Sequence, residues 1–575
     1  MKRERLPFMG WTLLSLLFIT ICGCSEKVSD GDDGLGDTGT SSDTLWGLDG
    51  SSGDLDQTEK IIHKSGESII EAQKWSGVHL LEGNLYIKSS LEIAPCTRIL
   101  VGSKAKISVT DSGSIKSIGT KDCPVIFTSS KDSKAKGDWG LIEIFNTASS
   151  DNVFDYTILE FGGDGNYGML WIDMGASVRI DNTSFDNSRS YGVYFDKNAN
   201  IKSFTKNRFS NIDLNPIFVY AGEVGALDKI TSIDNNQNTV LVNGGEVKNA
   251  ALWKDLGIPY LLRQQVTIKA SVEIEPGTKF LMDSDSDISV KDNGSIKSLG
   301  TADKNILFTS SKTSKAKGDW SHIEVYASSS SDNAFVYTVF EYGGKDNYGM
   351  LWIDNGAKVA IDNSTFRQSS SYGLFLEDGA VLKSFTNNKF KNLSMNPISL
   401  NASEIVMLDK IEAVDNTSNT IMVRGGTASI NGQWKNIGIP YEFKQIVYVK
   451  SKIEVEAGTT ILIAANMKIS VGDKGSLRLK GMQNANINIR SAKSAPAAGD
   501  WSQIDIYDSA DNDNIWDYVN VMHGGGDNYG QVWIDKGVML TLNNCKFSEG
   551  KDCDVYVENG GNVINNNSTY KLCPK

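Results

Sequence analysis

Four histidines, His63, His79, His322 and His523, are the only side chains of this 575-residue chain that ordinarily titrate near neutral pH. None has a histidine at the equivalent place in the internal copies described below. Zinc would want tightly spaced Cys/His pairs, and the chain has none. Asp283, Asp285 and Asp287 alternate with serine as DSDSD. A calcium loop of the EF-hand kind needs a longer pattern with a glycine and a distal glutamate. The equivalent residues elsewhere are Gly102, Lys104 and Lys106, then Ala464, Asn466 and Lys468, so a solvated turn is the better reading. No metal, cofactor or catalytic residue is expected.

Three glycine-rich loops carry a different chemistry. They read GGDGNYG (162–168), GGKDNYG (343–349) and GGGDNYG (524–530). Tyr167, Tyr348 and Tyr529 could present flat rings to sugars, with Asn166, Asn347 and Asn528 as hydrogen-bonding partners. Trp171, Trp352 and Trp533 follow closely in each copy. These nine residues are the candidate ligand-binding set. The competing reading is that each loop is a tight turn and each tryptophan packs. Three copies argue against one active site and fit weak multivalent contact.

The loops sit inside a longer repeated stretch. Gly137–Ala176 returns at Gly318–Ala357 and again from Gly499. Trp139, Trp320 and Trp501 mark one constant interval, so a single unit of about 181 residues recurs along the chain. Short Val/Ile/Phe/Tyr/Leu runs alternate with Gly, Asn, Asp and Ser, a composition of strands and turns. VTIKASVEIEPGTKF (266–280) alternates apolar and polar residues, giving one buried and one wet face. Alone, IIHKSGESIIEAQKW (61–75) could pass for a short helix. TVLVNGGEVKNAALW (239–253) and TIMVRGGTASINGQW (420–434) occupy the equivalent place and predict strand, turn and strand. Strands recurring about every 20–25 residues without helical crossovers predict rungs that stack into a solenoid. About eight rungs are expected per unit, with Asn182, Asn363, Asn544, Phe185, Phe366 and Phe547 in inward stacks.

The ILFTSS rung (306–311), the IEPGTKF rung (274–280), the DW segments and the NSTF–SYG rung resemble right-handed parallel β-helix proteins of the pectin-lyase-like superfamily. They are closest in style to bacterial surface proteins with internal repeats. The resemblance covers about 60–575. It implies an all-β right-handed parallel β-helix of three repeats, 60–236, 237–417 and a truncated 418–575 whose end serves as a cap. About 23 rungs would give a rod near 110 Å at roughly 4.8 Å each. Catalytic members of the fold use an Arg or Lys base with acidic calcium ligands, or clustered aspartates with a histidine. The hydrolase sets are absent here, and His523-Gly524 is a lone two-residue match.

At the start, KRER (2–5) precedes an apolar run from Leu13 to Ile21 that is short for a membrane span. It ends Cys22-Gly23-Cys24 and resembles the bacterial lipobox. The resemblance implies a signal peptide over 1–23, acylation of Cys24, and, with Ser25 next, the outer membrane, facing the periplasm or exposed at the cell surface. Residues 24–59 hold ten acidic residues against Lys27 alone and read as a flexible tether. A net charge of −13 argues against nucleic acid and acidic polysaccharide partners. Cys96 with Cys123, and Cys553 with Cys573, are candidate disulfides about one rung apart, leaving Cys545 over.

The resulting expectation is a non-enzymatic, lipid-anchored surface protein, adhesin-like or carbohydrate-binding. Its partners would be the membrane, through its lipid, and polysaccharide or another surface protein. The alternatives are a polysaccharide lyase or glycoside hydrolase of the same fold, and a structural spacer. Binder and spacer would be separated by whether the three Asn-Tyr loops share one face.

Overall fold

A computed structural model describes residues 59–574. The leader, Cys24 and nearly all of the tether lie outside the described residues. Among the described residues, no helix is long and apolar enough to cross a membrane.

The chain begins as alternating sequence dictates. Lys60–His63, Glu67–Ile69 and Gln73–Trp75 are three short strands separated by turns, so 61–75 is a rung and not a helix. Each pairs in parallel with the strand one turn later: Val78–Leu81, Leu85–Ile87 and Ser90–Ile93. A lone turn cannot cover its apolar residues, so the pattern continues through sixty strands of the described chain, three to a turn, with three walls around one core. The architecture is an all-β parallel solenoid of about 20 turns, near 95 Å long at about 4.8 Å per turn.

The turns are fewer than the 23 expected because they are unequal. The first runs only from Lys60 to its partner Val78. The turn from Val125 to its partner Thr157 is nearly twice as long. The extra residues form loops outside the wall, including the one that ends in Asp138-Trp139.

Inside, like side chains stack on like. Tyr260, Phe280, Phe308, Phe340, Phe366 and Phe390 form a continuous ladder with ring centroids 4.8–5.5 Å apart. Phe185 stacks on Phe209 in the same way at 4.9 Å. The expected inward asparagines are elsewhere. Asn182, Asn363 and Asn544 occupy left-handed corners with φ of 48°, 52° and 53°, a conformation asparagine tolerates, so their amides leave the core. Among the buried asparagines are Asn152, Asn333 and Asn514, one in each period. Each accepts an N–H from the turn below, at Ile115, Ile296 and Leu477, and donates to carbonyls at Ser149, Ser330 and Asp511. They close backbone groups that a corner would otherwise leave unpaired.

One local departure marks the joint between periods. At Val224–Ala226, and one repeat later near Glu404–Met407, a 3-10 turn replaces a strand. Twenty strands and one such turn lie between Leu170–Ile172 and Leu351–Ile353. The 3-10 turn packs between Asn200–Thr205 below and Ala251–Trp253 above, so one period is seven turns, where eight were expected. At the joint the first strands of one period extend the sheet made by the second strands of the period before. Val240–Val242 accordingly pairs with Ile217–Val219, and Ile421–Val423 with Ile398–Leu400.

Candidate ligand-binding site

Each Asn-Tyr loop is fixed by the Asp-Trp pair that precedes it. Asp138 is buried and accepts from Ser129 Oγ (2.8 Å), the Ala135 N–H (2.8 Å) and Lys131 Nζ (2.7 Å). Asp319 accepts from Ser310, Ala316 and Lys312 at 2.7–2.8 Å. Asp500 does the same with Ser491, Ala497 and Lys493. Burial alone would raise these carboxyls, but the lysine, hydroxyl and amide donors hold all three below the usual value of 3.8, Asp500 at about 2.

The neighbouring tryptophan is fully buried. Trp139 Nε1 donates to the Glu160 carbonyl (2.8 Å), Trp320 to that of Glu341 (2.8 Å) and Trp501 to that of Met522 (2.9 Å). The indole leaves no room at the first glycine of the loop. A Cβ on Gly162 would lie 2.5 Å from the Trp139 ring; at Gly343 and Gly524 the gaps are 2.5 and 2.6 Å. The tryptophan backbone then ties the loop down. Its carbonyl accepts from Asp164 (3.1 Å), Lys345 (3.1 Å) or Gly526 (3.0 Å).

On that base the loop folds its tyrosine back over its own tryptophan. Tyr167 lies flat on Trp171, centroids 4.1 Å apart and planes 9° from parallel. Tyr348 lies on Trp352 at 4.0 Å and 7°. Tyr529 and Trp533 are looser, at 6.0 Å and 29°. The tyrosines remain 41%, 40% and 48% exposed, whereas the tryptophans are half-buried. Edge contacts from Tyr194, Phe375 and Tyr556 in the next turn support them. Asn166, Asn347 and Asn528 are exposed, and among the described residues their amides make no side-chain hydrogen bond to the protein. The structure thus brings each predicted trio together as a small platform: a flat ring with a free amide beside it.

Below each tryptophan, in strand register, lies a buried carboxylate that sequence reasoning missed: Glu143, Glu324 or Asp505. Their constant spacing ahead of the tryptophan in all three copies was the available signal. Burial pushes Glu143 up to about 7, with Lys106 opposing and Asp173 adding to the shift. Asp505 is paired with Lys468 at 2.8 Å. Trp533 Nε1 donates to Glu558 (3.2 Å), while the buried Nε1 atoms of Trp171 and Trp352 have no partner in the protein.

The platforms differ at their edges. The first has Arg189 and Lys104 around Asp164, at 3.5 and 4.0 Å. The middle one has His322, which the sequence reading set aside because no copy has a histidine at the equivalent place. His322 meets Trp352 edge-on at 5.6 Å, and its Nδ1 is 2.8 Å from Ser321 Oγ. Asp346 and Glu324 flank the imidazole at 3.7 and 3.8 Å. Leu141 and Gln503 stand in its place in the other copies.

The three platforms stand on three different sheets. Trp171 belongs to the 15-stranded sheet, Trp352 to the 13-stranded sheet and Trp533 to the six-stranded sheet that starts at Gly426–Ala428. At the ends of the rod, disulfides join Cys96 to Cys123 and Cys553 to Cys573, with Cα atoms 4.6 and 5.0 Å apart. Cys545 is a buried free thiol, pushed above its usual value by burial.

Residues 69–169 match the pectate-lyase-like β-helix domain, and residues 348–431 match the right-handed β-helix region. No curated protein matches the chain. Domains of the pectate-lyase-like kind point to a carbohydrate-related protein. With parallel sheets through every described turn and these two matches within them, the chain is a right-handed parallel β-helix protein.

Proposed function

We propose that this is a non-enzymatic, carbohydrate-binding rod held at a bacterial cell surface by a lipid on Cys24. The carrying observation is the tyrosine stacked on tryptophan with its outer ring face and a neighbouring asparagine amide open to solvent, built in the same way three times. A preformed aromatic face costs little ordering on binding, and an amide beside it can read sugar hydroxyls. The anchor supports the surface placement through its resemblance to the lipobox.

A glycan array tests the reading. The full chain carrying Cys24→Ser, which blocks acylation, is compared with the same protein carrying Tyr167→Ala, Tyr348→Ala and Tyr529→Ala. Stacking contributes about 0.5–1.5 kcal/mol beyond area burial, so each site should weaken by up to about tenfold. Equal binding by both proteins would sink the platform reading.

One observation favours a second reading, a polysaccharide lyase or hydrolase. The grouping of His322, Ser321, Asp346 and Glu324 occurs in the middle copy alone, as a single catalytic site would. Under that reading the protein degrades a polysaccharide and His322→Ala abolishes turnover. No turnover by the parent protein leaves the binding reading in place.

A further inference from the structure

The first platform does not end at its own turn. Trp171, Tyr194 and Phe218 stand above one another in strand register on three successive turns of the 15-stranded sheet. Tyr194 lies flat on Phe218, centroids 4.0 Å apart and planes 8° from parallel. Tyr191 comes from ahead of these strands and Tyr220 from behind them, and both meet Phe218 edge-on, at 5.4 and 5.7 Å. Phe218 is the buried floor, and the three tyrosines around it are half-buried. Polar groups gather at the rim. Burial raises the Tyr194 hydroxyl above its ordinary value, and the nearby Tyr220, Asp196 and Tyr167 add to the shift. The result is an aromatic strip edged with hydroxyls, about 10 Å from Trp171 to Phe218 at about 4.8 Å per turn.

The other two copies lack this strip. One repeat later, Ser399 and Asn401 replace Phe218 and Tyr220. Arg424, where the first copy has Asn243, lies 4.3 Å over Phe375, the counterpart of Tyr194, and donates to Ser399 Oγ (2.8 Å). In the third copy Tyr556 takes the place of Tyr194, and its strand is the last of its sheet. Resting on the carbohydrate-binding reading above, we infer that the first copy is an extended saccharide site: a chain lying along the rod axis sets one sugar on Tyr167 and further units on the strip of Tyr191, Tyr194 and Tyr220. The second and third copies hold only what one platform can. Aromatic faces cover the apolar faces of sugars, and the tyrosine hydroxyls pair with sugar hydroxyls.

The test uses the full chain with Cys24→Ser in two backgrounds. One keeps only the first platform (Tyr348→Ala with Tyr529→Ala), the other only the second (Tyr167→Ala with Tyr529→Ala). Disaccharides and hexasaccharides of a mixed-linkage β-glucan, a galactomannan and a xylan are titrated by calorimetry. The first background should bind a hexasaccharide about tenfold more tightly than the matching disaccharide, and the second should bind both alike. Tyr191→Leu with Tyr220→Leu should erase the gain of the first background and leave its disaccharide affinity unchanged, which also shows that the platform remains folded. Equal gains in the two backgrounds, a gain that survives the double change, or an equal loss for both lengths would overturn the extended site and leave the platform reading intact. Dimers of the parent protein that the double change dissolves would also overturn it, assigning the strip to a second molecule of this chain. Absence of binding to all of these saccharides would overturn both readings.

Discussion

At the scale of single residues, the repeated loop is organised from within. Gly343 has no space for a side chain because the Trp320 ring already fills it. Gly343→Ala should therefore cost about 1–3 kcal/mol through overpacking, read as a lower denaturation midpoint in urea. Asp138, Asp319 and Asp500 make an acid-labile set. Their carboxyls lie below the unfolded value of 3.8, so their stabilisation is complete above that pH and is lost as pH falls below it, for Asp500 toward about 2. The fluorescence of Trp139, Trp320 and Trp501 should report unfolding across that window, and a triple Asp→Asn variant should flatten the transition. The sequence made the Asp-Trp and Gly-Gly pairs visible but not their mutual dependence. Fit between Trp320 and Gly343 is a property of two loop segments, one before Ile323–Val325 and one after Thr338–Glu341, and neither residue announces the other.

At the scale of elements, the ends of the solenoid are its vulnerable turns. In the first, His63, Trp75 and His79 stack in parallel, with the outer pairs 4.2 and 4.3 Å apart. His79 Nε2 donates to the Ser76 carbonyl, so its Nδ1 accepts from His63 Nε2 at 3.0 Å. His63 in turn faces Glu67, with Nδ1 2.9 Å from the carboxylate. Burial and the neighbouring His63 lower the His79 pKa below 6.5. The folded turn then binds protons less readily than the unfolded one, so stability is held above pH 6.5 and declines as pH falls through the lowered value. Hydrogen exchange over residues 60–81 should quicken on mild acidification, and His79→Gln should remove that dependence. At the other end, Cys573→Ser frees a 20-residue loop. The loss should be about 3 kcal/mol on the chain-entropy scale, confined to exchange in 553–574. The strand-turn-strand nature of 61–75 was legible because two later copies lack its helix-like spacing. The asparagines were misplaced because a corner asparagine and a core asparagine look alike in sequence; only φ distinguishes Asn182 from Asn152.

At the scale of the whole molecule, the parallel solenoid was legible from rung rhythm, and its length was overestimated because outside loops were counted as wall. The change of sheet from one loop to the next was not legible. It follows from the joints at the short 3-10 segments, Val224–Ala226 and Glu404–Met407, where two sheets end and the third runs on. Glu223 and Glu404 stand at these steps and are pushed by burial to about 7, each accepting a backbone N–H, from Asn198 and Gly379. Glu404→Ala should leave the Gly379 and Asn401 amides unpaired, at a cost of about 1–3 kcal/mol seen as a lower melting temperature.

The joints also bear on how such a solenoid can grow. At the first, two sheets end while the sheet that starts at Glu67–Ile69 runs on to Ile411–Val414; at the second, the sheet that starts at Gly245–Val247 runs on to Lys546–Ser548. Each joint is splinted by a sheet that crosses it, as overlapping planks splint a mast. A solenoid built this way can lengthen by whole periods without gaining a weak seam.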